Sequence, residues 1–172
     1  MQAAPWEAPS PCVRPSAAPR GRASVAESHA ETRWQAVDSS EAIPYPPDMN
    51  ASELIQLADD VRRHAHAPYS NYRVGAALLT DSGEIFTGVN VENASYGLTI
   101  CAERSAVVAA VSAGHQSFRA IAIVTDNCAS PCGACRQVLH EFEPELTVIM
   151  AAPDGTRTEA SLEELLPRSF VG

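Results

Sequence analysis

The stretch from Asn90 to Arg104, N-V-E-N-A-S-Y-G-L-T-I-C-A-E-R, decides how the rest of the chain is read. Its end sets a cysteine, a carboxylate and an arginine almost side by side: Cys101, Glu103 and Arg104. Further on stands Pro131-Cys132-Gly133-Ala134-Cys135-Arg136. Cys101 with the later C-x-x-C supplies three thiolates, one short of a closed tetrahedral zinc site. Structural zinc sites are normally full, whereas catalytic ones keep a position for water. A carboxylate two residues after the lone cysteine can move that water's protons. Cys101, Cys132 and Cys135 are therefore the candidate ligands of one Zn2+ per subunit, and Glu103 the candidate acid–base residue. Three thiolates favour zinc over hard cations.

Both cysteine clusters fall where helices are predicted to begin. One helix opens at about Thr99 to Cys101, runs through the alanines and valines that follow, and ends at Gly114. Another is capped by Ser130, with Pro131 at its first position, and runs to about Phe142. A helix start offers unpaired N–H groups and partial positive charge, which favour thiolate. Three thiolates load zinc with negative charge, and a hydrogen bond from Arg104 to a ligand sulfur offsets part of it.

Upstream, a first helix starts at Asn50 or Ser52, carries Leu54, Leu57, Ala58, Val61 and Ala65 at helical spacing, and is stopped by Pro68. Arg73 to Thr80 and Glu84 to Val89 read as a hairpin around Asp81-Ser82-Gly83. Ala120 to Thr125 suits a strand buried on both faces. Thr147 to Ala151 is a fourth strand, Pro153-Asp154-Gly155 a turn, and Arg157 lies near a short fifth strand. Ser161 to Glu164 is a capping box for a last short helix. This order predicts an α/β fold, one mixed sheet covered by helices on both faces.

Four ordered motifs, Pro68 to Ala77, Asn90 to Ala94, Cys101 to Arg104 and Ser130 to Val138, resemble those of the small homotetrameric cytidine deaminases. The resemblance runs from about Met49 to the C-terminus. It implies a three-layer α/β/α sandwich with a mixed five-stranded sheet, assembled as a homotetramer. It also implies zinc-dependent hydrolysis of cytidine and deoxycytidine to the uridine product and ammonia, in pyrimidine salvage. Glu103 would move protons between the attacking water, N3 of the ring and the departing amino group.

Asn90 and Glu92 alternate on an extended segment, so both side chains can point one way; by resemblance they hydrogen-bond the ribose 3′-hydroxyl and neighbouring groups. Ala102 would line the same substrate site. Tyr72 stands where the family usually has phenylalanine stacked on the pyrimidine, and its extra hydroxyl needs a partner or water. Phe170 is a candidate to reach a neighbouring subunit's pocket, and Tyr96 to approach the 5′ end of the sugar.

Size and composition narrow the alternatives. With 172 residues, one domain is the default. The formal charge is −9 and lysine is absent, so phosphate backbones meet no attractive field and no nucleic-acid partner is expected. No run approaches the roughly 18–20 apolar residues of a membrane span. Five cysteines, an odd number, fit a reduced cytoplasm better than a disulfide framework. Cys12 is incidental and Cys128 reads as a loop thiol.

Residues 1–48 hold eight of the thirteen prolines and no periodic apolar face. They read as a disordered Pro/Ala-rich extension ahead of a 49–172 catalytic domain, with Met49 a candidate natural start. His64 and His66 flank a helix end and read as structural. Three rivals stay open: a deaminase of another aminated heterocycle, against which Asn90 and Glu92 argue; a nucleic-acid editor; and a structural zinc module. The last needs a fourth protein ligand, Cys128 being the first candidate, and leaves Glu103 without work.

Overall fold

The computed structural model describes residues 50–172, so the expectations for the N-terminal extension and for Met49 lie outside the described residues. Helix α1 (Ala51–Arg62) opens with a complete capping box: Asn50 accepts from the Ser52 and Glu53 amides while Glu53 reaches back to the Asn50 amide. Strands β1 (Gly75–Thr80) and β2 (Ile85–Val89) form the hairpin, followed by a 3-10 turn at Tyr96–Leu98 and helix α2 (Ala102–Ser112). Then come β3 (Phe118–Val124), α3 (Gly133–His140), β4 (Thr147–Ala151), β5 (Arg157–Ser161) and the single turn α4 (Leu162–Leu165).

The five strands lie in the order β2-β1-β3-β4-β5. Only β3 and β4 run parallel, joined by a crossover that contains α3, so the sheet is mixed as expected. Alternation along the strands splits the core into two apolar layers. Leu54 and Ala58 of α1 pack on Ala77, Leu79, Ala122 and Ile149 of one sheet face. Ala106 of α2, Leu139 of α3 and Leu162 of α4 pack with Leu78, Ile121 and Val148 of the other. β1 and β3 are buried almost throughout because both their faces are covered. The result is the three-layer α/β/α arrangement.

Two boundaries differ from the expectation. α1 ends at Arg62, well before Pro68, although the apolar spacing continues through Ala65. The cause is non-local: the His66 amide donates to Asn90 O (3.0 Å) and Glu92 N donates to His66 O (2.8 Å), which pulls the segment into a β-bridge. The third helix begins at Gly133 with Cys132 as its N-cap, not with Ser130. Arg136 has claimed that turn, donating to Ser130 Oγ at 2.8 Å and to the Pro131 carbonyl at 2.7 Å. It stops at His140, and Phe142 turns inward to pack on Phe118, ring centroids 5.1 Å apart. No helix among the described residues is long and apolar enough to cross a membrane.

Candidate active site

Cys101 is the N-cap of α2, Cys132 the N-cap of α3, and Cys135 lies one turn into α3. Neither capping cysteine uses its side chain to cap its own helix, so the sulfurs turn towards each other. Cys101 Sγ lies 3.9 Å from Cys132 Sγ, and Cys132 Sγ 3.5 Å from Cys135 Sγ. All three sulfurs fall within 4.8 Å of one another. A tetrahedral ion with Zn–S bonds of about 2.3 Å needs sulfur–sulfur edges of about 3.8 Å. The residues fit zinc in number, softness and spacing.

Cys128 is not among them. It adopts φ 56°, and its thiol donates to the Met150 carbonyl at 3.2 Å. Among the described residues, a four-thiolate site of the kind a structural zinc module would use is therefore not assembled.

Glu103, one residue into α2, is 5% exposed. Burial pushes its carboxyl above the ordinary glutamate range, and the negative charge of Cys101 adds to that; a backbone hydrogen bond, Cys135 and Arg104 oppose it. A carboxyl poised upward is suited to exchanging protons near neutrality. Arg104 donates through Nη2 to Thr99 O (3.1 Å) and to Cys101 Sγ (3.6 Å). The Cys101 thiol is held down at about 5, chiefly by its hydrogen bond with Cys135 and, against burial, by Arg104. The same hydrogen bond and burial push the Cys135 thiol up.

A cavity of about 210 Å³ joins Cys101, Cys132, Ala102 and Glu103 to Tyr72 and Asn90. Ala102 is fully buried, and as the first residue of α2 its N–H has no intrahelical acceptor. Asn90 is buried and grips the opposite wall: its Oδ1 accepts from Val74 N (2.8 Å) and its Nδ2 donates to Tyr72 O (2.9 Å). Glu92 holds the same segment further back, accepting from Tyr69 N (2.8 Å), Ser70 N (3.3 Å) and the Ser70 hydroxyl. It lines a neighbouring recess with Tyr69 and Tyr96, and Thr99 borders both recesses. The hydroxyl of Tyr72 has a partner, Asn127 Oδ1 at 2.6 Å.

Residues 49–151 match the model of the cytidine and deoxycytidylate deaminase zinc-binding region. The chain belongs to this family. A probable cytidine deaminase of Dictyostelium discoideum is 50% identical over 128 residues, 71% of this chain and 86% of that one. A cytidine deaminase of Halalkalibacterium halodurans is 46% identical, over 72% of this chain and 96% of its own. Among solved structures, cytidine deaminase from Burkholderia pseudomallei superposes with a TM-score of 0.69 at 47% identity, covering 71% of this chain and all of that one.

Three residues that the resemblance implicates stand outside the cavity: Glu92 and Tyr96, which share the neighbouring recess, and Phe170. Tyr96 is 75% exposed and meets Tyr69 edge-on, centroids 6.0 Å apart. Phe170 is 76% exposed, yet its backbone is clasped at both ends by Gln137, which donates to Phe170 O (2.8 Å) and accepts from Phe170 N (3.0 Å).

One position in this deaminase escaped the sequence reading. A Cβ on Gly88 would lie 2.3 Å from Ala102 O and 2.4 Å from Ala106 N, so only glycine lets β2 seat α2 this closely. A glycine inside a strand was the available signal. Asn127 gave none, since a loop asparagine is ordinary.

Proposed function

We propose that the protein hydrolyses cytidine, and deoxycytidine with it, to the corresponding uridine nucleoside and ammonia. One observation carries this reading: three sulfurs spaced for zinc and a buried carboxyl share one cavity with a tyrosine ring. Bound by Cys101, Cys132 and Cys135, zinc supplies a Lewis acid that makes water nucleophilic near neutral pH.

The chain's own residues do the rest. Glu103 takes a proton from the water that adds to C4 of the pyrimidine and returns protons to N3 and the amino group, so that the C–N bond breaks and ammonia leaves. Transfers of this kind contribute about 10²–10⁴-fold. Arg104 drains charge from Cys101, and Tyr72 stacks on the ring. Asn90 keeps one acceptor and one donor position beyond those spent on Tyr72 and Val74, enough for a sugar hydroxyl. Glu92 retains an acceptor site for the same sugar. In this reading the chain works as a cytoplasmic homotetramer in pyrimidine salvage, Phe170 reaches a neighbouring subunit's pocket, Tyr96 approaches the 5′ end of the sugar, and residues 1–48 precede a 49–172 catalytic domain.

The test is ultraviolet monitoring of cytidine with zinc-loaded protein beside Glu103→Ala. Loss of the cytidine band with the parent alone supports the reading. Equal rates in both would remove Glu103 from the chemistry, and no turnover in either would move the substrate to another aminated heterocycle.

A further inference from the structure

Tyr72 is tied into the molecule at three points. Its N–H donates to Ser70 Oγ (3.0 Å) and its carbonyl accepts from Asn90 Nδ2 (2.9 Å), which fix the backbone on one wall of the cavity. Its hydroxyl crosses to the loop after β3 and donates to Asn127 Oδ1 at 2.6 Å, within the ordinary range for an O–H···O bond. That loop leads into Cys132 and α3. The ring therefore bridges the segment before β1 and the loop that leads into two of the three cysteines.

Asn127 is itself braced. Thr125 Oγ1 donates to Asn127 Oδ1 (3.3 Å) and accepts from Ala129 N (2.8 Å), while the next residue, Cys128, anchors on Met150 O. Each partner also borders a left-handed residue: Asn71, φ 57°, precedes Tyr72, and Cys128, φ 56°, follows Asn127. A left-handed conformation is unfavourable for a non-glycine residue, less so for asparagine, and it persists where surrounding contacts over-determine it. Two such turns converge on a single hydrogen bond.

We propose that Asn127 is a positioning residue that latches the Tyr72 hydroxyl and so sets the angle of the ring against which the pyrimidine stacks. This rests on the cytidine reading of the site. A phenylalanine ring would be held by packing alone. Here the tilt is set by a bond of fixed direction, and the substrate meets a surface already in place. A preset stacking face acts on bound substrate and transition state alike, so its loss appears in KM and not in kcat.

The experiment compares the zinc-loaded parent with Tyr72→Phe, Asn127→Ala, Asn127→Asp and the Tyr72→Phe/Asn127→Ala pair. Expected is a rise in KM of about threefold to tenfold in each of the first two, the span of one net hydrogen bond. The double variant should be no worse than either single one, because both delete the same bond. Asn127→Asp keeps the acceptor oxygen and should restore the parent KM, and the dissociation constant for uridine should follow the same pattern. Additive effects, or a kcat loss in Asn127→Ala with KM unmoved, would overturn the latch.

Amide exchange at residues 69–74 gives a readout independent of turnover. Faster exchange in both Tyr72→Phe and Asn127→Ala supports the latch, and parental exchange in both overturns it. A parent inactive on cytidine defeats the proposed function instead, and the exchange data still decide the latch.

Discussion

Glu103 is held where a carboxylate is poorly solvated, and both its chemistry and its cost follow from that. Burial disfavours the charged form, so the carboxyl titrates above the ordinary glutamate range. A neutral isostere of the same shape escapes that penalty but cannot carry a proton. Glu103→Gln is therefore expected to lower kcat by about 10²–10⁴-fold while the melting temperature equals or exceeds the parent's. Steady-state kinetics beside calorimetry check both halves. A variant that is inactive because it has unfolded would contradict the argument. Arg104 sits close by with a complementary task, linking the Thr99 carbonyl to the Cys101 sulfur through one nitrogen.

Between elements, two glycines share a stability forecast and differ in their effect on zinc. A Cβ on Gly88 collides with the α2 backbone, and one on Gly75 lies 2.0 Å from Ala58 O of α1. Either alanine variant should cost about 1–3 kcal/mol, since backbone cannot swing aside as a side chain can. Only Gly88→Ala displaces the helix bearing Cys101 and Glu103, so it alone should also weaken zinc binding. Denaturant titration and a competitive zinc chelator measure the two effects; equal zinc affinity in both variants would refute the distinction.

The loop that Glu92 holds makes a pH forecast. Hydrogen bonds from the Ser70 hydroxyl and the Tyr69 amide, the former first, keep its carboxyl below the ordinary glutamate value. The folded value is thus the depressed one. The loop's restraint is complete above the unfolded value and is lost as pH falls through the folded one. The Ser70 amide resonance should accordingly titrate with a midpoint below that of a free glutamate; a midpoint at or above it would speak against the contact.

What the sequence revealed at this scale was whatever depends on near neighbours. The C-x-x-C spacing, the capping box at Ser161 and the turn at Asp81-Ser82-Gly83 were legible because each is local, whereas the first helix start was narrowed only to Asn50 or Ser52. The end of α1 was not legible, because a β-bridge to Asn90–Glu92 ends it, nor was the start of α3, because Arg136 takes Ser130. Asn127 was invisible for the same reason: its partner Tyr72 comes from another part of the chain.

At the scale of the whole molecule, apolar surface and net charge pull in opposite directions. Val91, Tyr96, Leu98 and Ile100 are exposed within one short stretch, with Tyr69, Val108, Phe170 and Val171 exposed elsewhere. Periodicity could not foretell this, since these positions follow no regular repeat within the chain. Exposed apolar side chains gathered in this way mark surfaces that another molecule covers. Against it stands a formal charge of −9 on every chain, so each added copy brings repulsion that salt screens over about 8–10 Å. The homotetramer proposed above should therefore hold more firmly as salt rises. Light scattering should return about four times the 18.3 kDa chain mass at physiological ionic strength and smaller species in dilute buffer. Leu98→Glu adds a charge to the apolar stretch and should shift the mass downward at every salt concentration. A single-chain mass at all ionic strengths would leave Phe170 without a neighbouring site to serve. Activity would then have to come from the cavity of one chain alone.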